Sequence, residues 1–375
     1  MIKNEIVTCK KCVMDSTGDP DFNINNFGIC NYCTEYEEKI KFRILPDDER
    51  KKELRNIIRK IRKSNNKYDC LIGVSGGVDS TYVAYLAKEY GLNPLAVHFD
   101  NGWNSELAVH NIQKVLEKLE IDYITKVMNW NEFKDLQVSF LKSSTPDGEI
   151  PTDHAITATL YNIANKQGIK YILSGNNFKT EGVMPKLWAY GHIDGKYIRN
   201  IQRIFGTRKL SDYPFLPIYK FIWYTVLKRI KLVSILNYTD YDNKTAMDIL
   251  IKKLDWKYYG GKHYESIYTR FYQGYILPKK FNIDKRKIHL SALILSNQLS
   301  KQQALSELKE DSYSLKMRED DLNYVLKKLD LSEDEFNTIM NNQNKTFMDY
   351  SNSSNFHLKL RKIIAYLRRL KLFYN

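Results

Sequence analysis

From Tyr68 to Ser174 the chain alternates between two hydrophobic periods. Tyr68–Val74 holds the short continuous apolar run Cys70–Val74, the pattern of a strand buried on both faces. Asp79–Tyr90 then places Val83, Leu86, Ala87 and Tyr90 at helical spacing. Pro94–Phe99 reads as a second strand, ending at Asp100-Asn101-Gly102. Ser105–Leu119 is an amphipathic helix with Ala108, Ile112, Val115, Leu116 and Leu119 on one face. Asp122–Val127 is a third strand, Pro151 opens a helix that runs to Gln167, and Lys170–Ser174 is a fourth strand. Strands alternating with helices predict an α/β fold with a doubly wound parallel sheet. Ligands of such sheets bind beyond the strand C-termini.

The flanks read differently. Residues 1–45 hold four closely spaced cysteines and little apolar periodicity, so they form a segment of their own. Residues 46–215 carry the α/β pattern. Residues 216–375 read as a mainly helical region for substrate or partner binding. Within it Ser332 and Glu335 make a capping box. His357–Phe373 is a basic amphipathic helix, compatible with an anionic membrane surface, a docked partner, or packing on the body. The most apolar stretch, Phe221–Leu236, is interrupted by Lys228, Arg229 and Lys231 and is too polar to span a bilayer. The first residues lack the apolar core of a signal peptide. A cytoplasmic protein is expected, with peripheral contact to the inner membrane open to the 357–373 helix.

Composition narrows the partners only slightly. The 375 residues suffice for two or three units, and 43% hydrophobic content excludes a disordered chain. A formal charge of +14 favours anionic partners without choosing among nucleotides, nucleic acid and acidic lipid. Most of the 27 tyrosines are expected in the core.

Four of the five cysteines form two pairs, Cys9-x-x-Cys12 and Cys30-x-x-Cys33, separated by 17 residues. That spacing suits two knuckles around one tetrahedral Zn²⁺, with Asp15, Gly18, Asp19, Pro20 and Gly28 supplying turns between them. A segment this short buries little core, so metal would hold it together in a structural role. Cys70 lies inside an apolar run and reads as a buried strand residue.

The loop Ser75-Gly76-Gly77-Val78-Asp79-Ser80 sits between the first strand and the first helix. Strand, glycine turn and helix together aim backbone N–H groups and a helix N-terminus at phosphate. Gly76 and Gly77 allow close approach, Ser75 and Ser80 add hydroxyls, and Asp79 suits a bound Mg²⁺ or a first-turn cap. No G-x-x-x-x-G-K-[ST] kinase-type loop is present. The hexapeptide resembles the PP-loop of the ATP pyrophosphatases, which cleave ATP between the α and β phosphates and adenylylate a substrate. Gly175-Asn176-Asn177-Phe178-Lys179-Thr180-Glu181-Gly182 resembles the second nucleotide-contacting loop of that superfamily, with Glu181 placed to hold Mg²⁺. The expected ATP contacts are Gly73, Val74, Ser75, Gly76, Gly77, Val78, Asp79, Ser80, Phe99, Asp100, Gly175, Asn176 and Glu181. Asp100 is suited equally to ribose, Mg²⁺ or a turn cap.

Two further segments carry chemistry. Glu149-Ile150-Pro151-Thr152-Asp153-His154 sets polar groups at a helix N-terminus, and His154 is a candidate for anion binding or proton transfer. Residues 255–287 interleave cations, aromatics and glycines, with Lys262, His263, Tyr264, Lys279, Lys285 and Arg286 as candidates for an anionic, sugar-bearing substrate. Cys9-Lys10-Lys11-Cys12-Val13-Met14-Asp15, Cys30-Asn31-Tyr32-Cys33, the SGGVDS loop and these two segments together resemble the N-acetyl sugar amidotransferases of surface-polysaccharide (lipopolysaccharide O-antigen) and nonulosonic-acid pathways. The resemblance spans most of residues 5–300. It implies that the acetamido oxygen of a sugar attacks the ATP α-phosphate and releases pyrophosphate. Ammonia then displaces AMP, leaving an acetamidino sugar, with Asp79, Ser80, Lys262 and His154 as the expected catalytic residues and ATP, Mg²⁺ and structural Zn²⁺ as cofactors. Position 2 is isoleucine and no G-x-C-x-G elbow exists, so this chain is not expected to hydrolyse glutamine and would use free ammonia or a separate glutaminase. The family resemblance implies a glutaminase and cyclase-like pair as partners. The alternative is a tRNA-modifying thiolase or lysidine-type ligase. A non-catalytic nucleotide-binding scaffold is disfavoured by the intact Ser75, Asp79 and Ser80.

Overall fold

A computed structural model describes residues 6–355, apart from Asn65, Lys262 and Ser312. Helices α1 (Asn31–Arg43) and α2 (Asp47–Arg62) precede β1 (Cys70–Val74), α3 (Val78–Glu89), β2 (Pro94–Asp100), α4 (Glu106–Lys118) and β3 (Tyr123–Val127). The chain continues through α5 (Trp130–Lys142), α6 (Ile150–Lys166), β4 (Tyr171–Ser174), α7 (Phe178–Glu181), α8 (Gly195–Phe205) and α9 (Ile218–Ile222), which runs on as a π turn over Trp223–Leu227. Then come β5 (Lys231–Ser234), α10 (Asn243–Leu254), and a helical run of α11 (Ile267–Phe271), a π segment (Tyr272–Ile276) and α12 (Leu277–Phe281). Helices α13 (Arg286–Leu295), α14 (Lys301–Lys309), α15 (Leu315–Leu329) and α16 (Glu333–Asn341) complete the described chain.

The five strands form one parallel sheet in the order β3-β2-β1-β4-β5. The expected doubly wound sheet is therefore present. Succession reverses between β1 and β4, which places the ligand crevice of this topology at their C-terminal ends. Ile57, Ile61, Val83, Leu86 and Leu250 pack on one face of the sheet. Ala158, Tyr161, Leu216 and Tyr224 pack with Leu71 and Ile172 on the other.

The α/β unit extends past residue 215, where the sequence placed its end. β5 pairs with β4, and α10 lies along α3. β5 is legible only with difficulty because it is an outer strand of four residues, and Lys231 and Leu232 both face solvent. The cysteine segment is likewise not free-standing. Met14 and Tyr36 share a core with Phe133, Tyr197, Phe271, Leu326 and Phe336. Lys287 pairs with Asp15 at 2.6 Å, and Trp188 Nε1 donates to the Gly18 carbonyl at 2.9 Å. The capping box begins α16 as expected, with Ser332 Oγ accepting from Glu335 N–H at 3.2 Å and Glu335 Oε2 accepting from Ser332 N–H at 2.9 Å. Among the described residues no helix is long and apolar enough to cross a membrane. The 357–373 helix lies outside the described residues.

Candidate nucleotide cleft and metal centre

The SGGVDS loop leaves β1 at its C-terminal end and enters α3 through Gly77, an N-cap without a side-chain hydrogen bond. The N-cap itself therefore satisfies none of the first-turn N–H groups of α3, which suits an anion there, while the Tyr259 hydroxyl approaches the Val78 N–H. The loop is held open by its own hydroxyls. Ser80 Oγ accepts from Ser75 N–H at 3.2 Å, and Ser75 Oγ accepts from Gly77 N–H at 3.3 Å. Gly76 takes φ +83°, and a Cβ there would lie 2.8 Å from the Ala108 carbonyl oxygen, so no other residue fits. Gly73, Val74 and Val78 form the inner lining, with Val74 and Val78 buried.

The second expected loop meets the first. Gly175 follows β4, and a Cβ on it would lie 2.9 Å from the backbone carbonyl carbon of Asp79. Asn176 and Glu181 are exposed beside it. Phe99 is buried at the end of β2. Asp100 accepts from Gly102 N–H at 2.8 Å and Asn104 Nδ2 at 3.4 Å, so it caps the turn.

Residues 241–273 roof the crevice. Tyr241 donates its hydroxyl to Asp79 Oδ1 and accepts from Asn243 Nδ2 at 3.1 Å. Trp256 Nε1 donates to the Gly76 carbonyl at 2.9 Å. Asn111 clamps the Lys257 backbone through two hydrogen bonds of 2.8 and 2.9 Å. A Cβ on Gly77 would lie 3.0 Å from Glu265 Oε1 and 3.4 Å from the Tyr259 hydroxyl, so this segment closes directly over the SGGVDS loop. Ser105 N–H donates to the Glu265 carbonyl and Ile267 N–H to the Trp103 carbonyl, both at 2.9 Å, pinning the roof to the β2–α4 connection.

The same roof faces the N-terminus of α6. Glu149 accepts from Lys285 Nζ at 2.8 Å and from Gln273 Nε2 at 2.9 and 3.0 Å. Burial pushes its carboxyl up, but the Lys285 ammonium outweighs that and holds Glu149 below the usual carboxylate range. Asp153, one turn on, is open to solvent but surrounded by protein, and among the described residues no hydrogen bond ties its carboxyl. That enclosure, with the Glu149 carboxylate beside it, raises Asp153 to about 7 against the pull of Lys285 and His263. Two buried polar atoms nearby, the Tyr268 hydroxyl and Glu265 Oε2, lack a hydrogen-bond partner among the described residues. Asn101 Nδ2 donates to Thr152 Oγ1 at 3.1 Å and ties this helix start to the end of β2.

Other expected residues lie differently. His154 is buried, with Nδ1 2.6 Å from the His192 carbonyl and Nε2 accepting from Leu216 N–H at 3.1 Å. Burial lowers it to about 4. Both ring nitrogens serve the backbone, which corrects the expectation of proton transfer by His154; the neighbouring Asp153 is instead exposed at the helix start beside Glu149. Arg286 forks onto Asp284 and donates to the Glu310 carbonyl at 2.9 Å, bracing the end of α14. Lys279 is exposed and donates to the Tyr275 hydroxyl at 2.9 Å. His263 Nδ1 lies 3.8 Å from Glu265 Oε1, and Tyr264 carries the Arg270 guanidinium over its ring at 5.3 Å. Lys262 lies outside the described residues.

The four cysteines converge. Their sulfurs lie within 4.8 Å of one another, at 3.8 Å for Cys9–Cys33, 3.7 Å for Cys12–Cys30 and 3.6 Å for Cys30–Cys33. A tetrahedron with zinc–sulfur bonds of about 2.3 Å has edges of about 3.8 Å, so the donor set fits zinc. Lys11 and Cys30 N–H groups donate to Cys9 Sγ at 3.3 Å, and Met14 N–H to Cys12 Sγ at 3.4 Å, which favours thiolates. All five cysteines are free, so the pairs are not disulfides. Cys70 is fully buried, and burial pushes its thiol up.

Sequence reading missed Tyr241, Trp256, Gln273 and Glu265 as cleft residues, since each meets its partner in the cleft from more than 120 residues away. Asp153 had a signal, a second carboxylate one helical turn after Glu149.

Comparison with known proteins agrees with this anatomy. Residues 50–210 match the family described as NAD synthase, and residues 265–364 match the C-terminal domain of LPS biosynthesis protein WbpG-like proteins. An uncharacterized protein of Methanocaldococcus jannaschii is 29% identical over 45% of this chain and 58% of its own length. The NH(3)-dependent NAD(+) synthetase of Carboxydothermus hydrogenoformans is 30% identical over 42% of this chain and 66% of its own. A tRNA-specific 2-thiouridylase of Fusobacterium nucleatum is 26% identical over 34% of this chain and 37% of its own. The chain thus spans between about a third and two thirds of the length of these relatives. It has a PP-loop fold of the NAD synthase type, and residues 265–364 are similar to the WbpG-like C-terminal domain.

Proposed function

We propose that this protein is an ATP-dependent ligase that converts the acetamido group of an N-acetyl sugar into an acetamidino group, forming AMP and pyrophosphate. The acetamido oxygen attacks the α-phosphate and pyrophosphate leaves. Ammonia then adds to the activated carbon, and AMP departs with the former amide oxygen. A proton from the added nitrogen passes to Asp153.

The observation that carries this reading is the meeting of two sites under one roof. The phosphate loop and the Glu149–Lys285–Asp153 cluster both lie at the C-terminal edge of the sheet, and residues 256–273 touch both. Lys285 and Gln273 lie within the WbpG-like segment, whose description names LPS biosynthesis. A likeness of similar weight is to a synthetase named for its use of NH3. The buried Tyr268 hydroxyl and Glu265 Oε2, without a hydrogen-bond partner among the described residues, suit the hydroxyls of a sugar. Asp79 and Glu181 would hold Mg²⁺, which neutralises phosphate charge when bound. Most of the acceleration would come from positioning and charge stabilisation.

Cys70, the one cysteine outside the metal cluster, is inaccessible, so ammonia would come from solution or from separate glutaminase and cyclase-like proteins. The same burial weakens a thiolase reading. A cytoplasmic location with peripheral contact to the inner membrane accompanies this function as a proposal.

The test is pyrophosphate release from ATP with ammonium and a panel of N-acetylated nucleotide sugars and nonulosonic acids, followed by mass spectrometry. Pyrophosphate, AMP and an oxygen-to-NH exchange on one sugar are expected. Silence across the panel, with release on adding bulk tRNA, would instead establish the tRNA-modifying alternative.

A further inference from the structure

The most apolar stretch of the chain spans no membrane, but it is not fully buried either. Across α9, its π turn and β5, Tyr224 and Ile230 point into the core, while Tyr219, Trp223, Leu227 and Leu232 turn outward. Tyr219 is 73% exposed and Leu227 70%. Positions 219, 223 and 227 recur at every fourth residue and share one helical face. Lys220, Lys228, Arg229 and Lys231 border that face, and the Lys228 ammonium sits 4.8 Å over the Trp223 ring. From Tyr213 to Thr239 there is no aspartate or glutamate.

We infer that this face docks on the surface of an anionic lipid bilayer. Outward aromatic and aliphatic side chains within a cationic border match the depth profile of a bilayer interface, where rings and methyl groups enter the acyl boundary and ammonium groups stay among phosphates. Other occupants match less of it. A nucleic acid would meet the cations but leave Leu227 and Leu232 without a complement. A second copy would set the same four cations against each other. The segment 356–375 contains no acidic residue and repels the patch in the same way.

The test is co-sedimentation of the full chain with vesicles of phosphatidylcholine alone and of phosphatidylcholine with phosphatidylglycerol. Binding to the anionic vesicles is expected, weakening as salt rises. Lys228→Gln/Lys231→Gln should lower the partition coefficient about 30-fold, since each cation near an anionic surface is worth roughly fivefold. Trp223→Ser/Leu227→Ser should abolish quenching of tryptophan fluorescence by brominated acyl chains. Zinc content and thermal unfolding midpoint check that both variants fold. The inference is overturned if the parent ignores anionic vesicles, or if both variants bind as the parent does, which would place binding elsewhere, for example on residues 357–373. It is also overturned if the variants instead dissolve an oligomer of the parent.

Discussion

The hydroxyl of Tyr241 donates to the carboxylate of Asp79, linking the segment after β5 to the first turn of α3. Tyr241 is buried, and its ring packs on Tyr82, so the phenol arrives with little freedom. One oxygen of Asp79 is thereby oriented before any ligand binds. Tyr241→Phe keeps the ring and removes the donor. A hydrogen bond to a charged group is worth about 2 kcal/mol, so kcat/KM for ATP should fall roughly 30-fold. Asp79→Ala should abolish pyrophosphate release while zinc stays bound. Full turnover in either variant would remove this pair from the mechanism.

Gly175 offers a sharper geometric test. An added methyl would meet the backbone of Asp79 at 2.9 Å, nearer than a Cβ tolerates, and neither backbone can yield cheaply. Gly175→Ala should push the two nucleotide loops apart. ATP affinity, measured by calorimetry, should drop at least tenfold while the unfolding midpoint moves little. Unchanged affinity would mean that ATP does not bind between these loops.

Local pattern and distant contact differ in how legible they are. β1, the glycine turn and α3 are readable because a buried parallel strand, a loop needing positive φ at Gly76 and a helix of period 3.6 are each written in adjacent residues. The cysteine cluster is readable for the same reason. β5 is not, because an outer strand with two exposed residues in four has no buried period to display. His154 and Arg286 carry the right atoms for chemistry, but burial against the Leu216 amide and the end of α14 consumes them, and only tertiary structure reveals that. Asp153 gains its character from Glu149 four residues earlier and from the enclosing 256–285 segment, which no local window includes.

The Glu149–Lys285 pair should behave as a unit. Both side chains are mostly shielded, and removing one partner leaves the other charge poorly solvated. Lys285→Met should destabilise the fold by about 3 kcal/mol, and Lys285→Met/Glu149→Gln should recover much of that loss. Chemical denaturation of the two singles and the double measures the coupling. Additive losses would show that the pair is solvated independently and does not shape the cleft.

Metal removal should reach beyond the knuckles. Lys301 Nζ donates to two backbone carbonyls of the first knuckle, at 2.7 Å to Cys9 and 2.9 Å to Lys10. Lys287 holds Asp15, so the cysteine segment anchors both α13 and α14. Zinc analysis should find one ion per chain, lost in Cys33→Ser. Chelation should lower the unfolding midpoint and raise protease cleavage in residues 286–310 as well as near the cysteines. Cleavage confined to residues 6–45 would show that the segment is an independent appendage.

Asp153 yields a prediction in pH. Its carboxyl titrates near 7 in the folded protein against 3.8 for an ordinary aspartate, so the folded state favours the protonated form. The associated stability is complete below about pH 4 and is lost as pH rises through about 7. Asp153→Asn cannot ionise, so its unfolding midpoint should match the parent at low pH and exceed it at pH 8. Catalysis should run the other way. A proton acceptor must be ionised, so the parent's rate at fixed free ammonia should rise with pH and level off above about 7. Asp153→Asn should flatten that profile and lower the rate by roughly 10²–10⁴-fold. The two readouts separate the roles: a merely structural Asp153 would change the midpoint and leave the shape of the rate profile as it was.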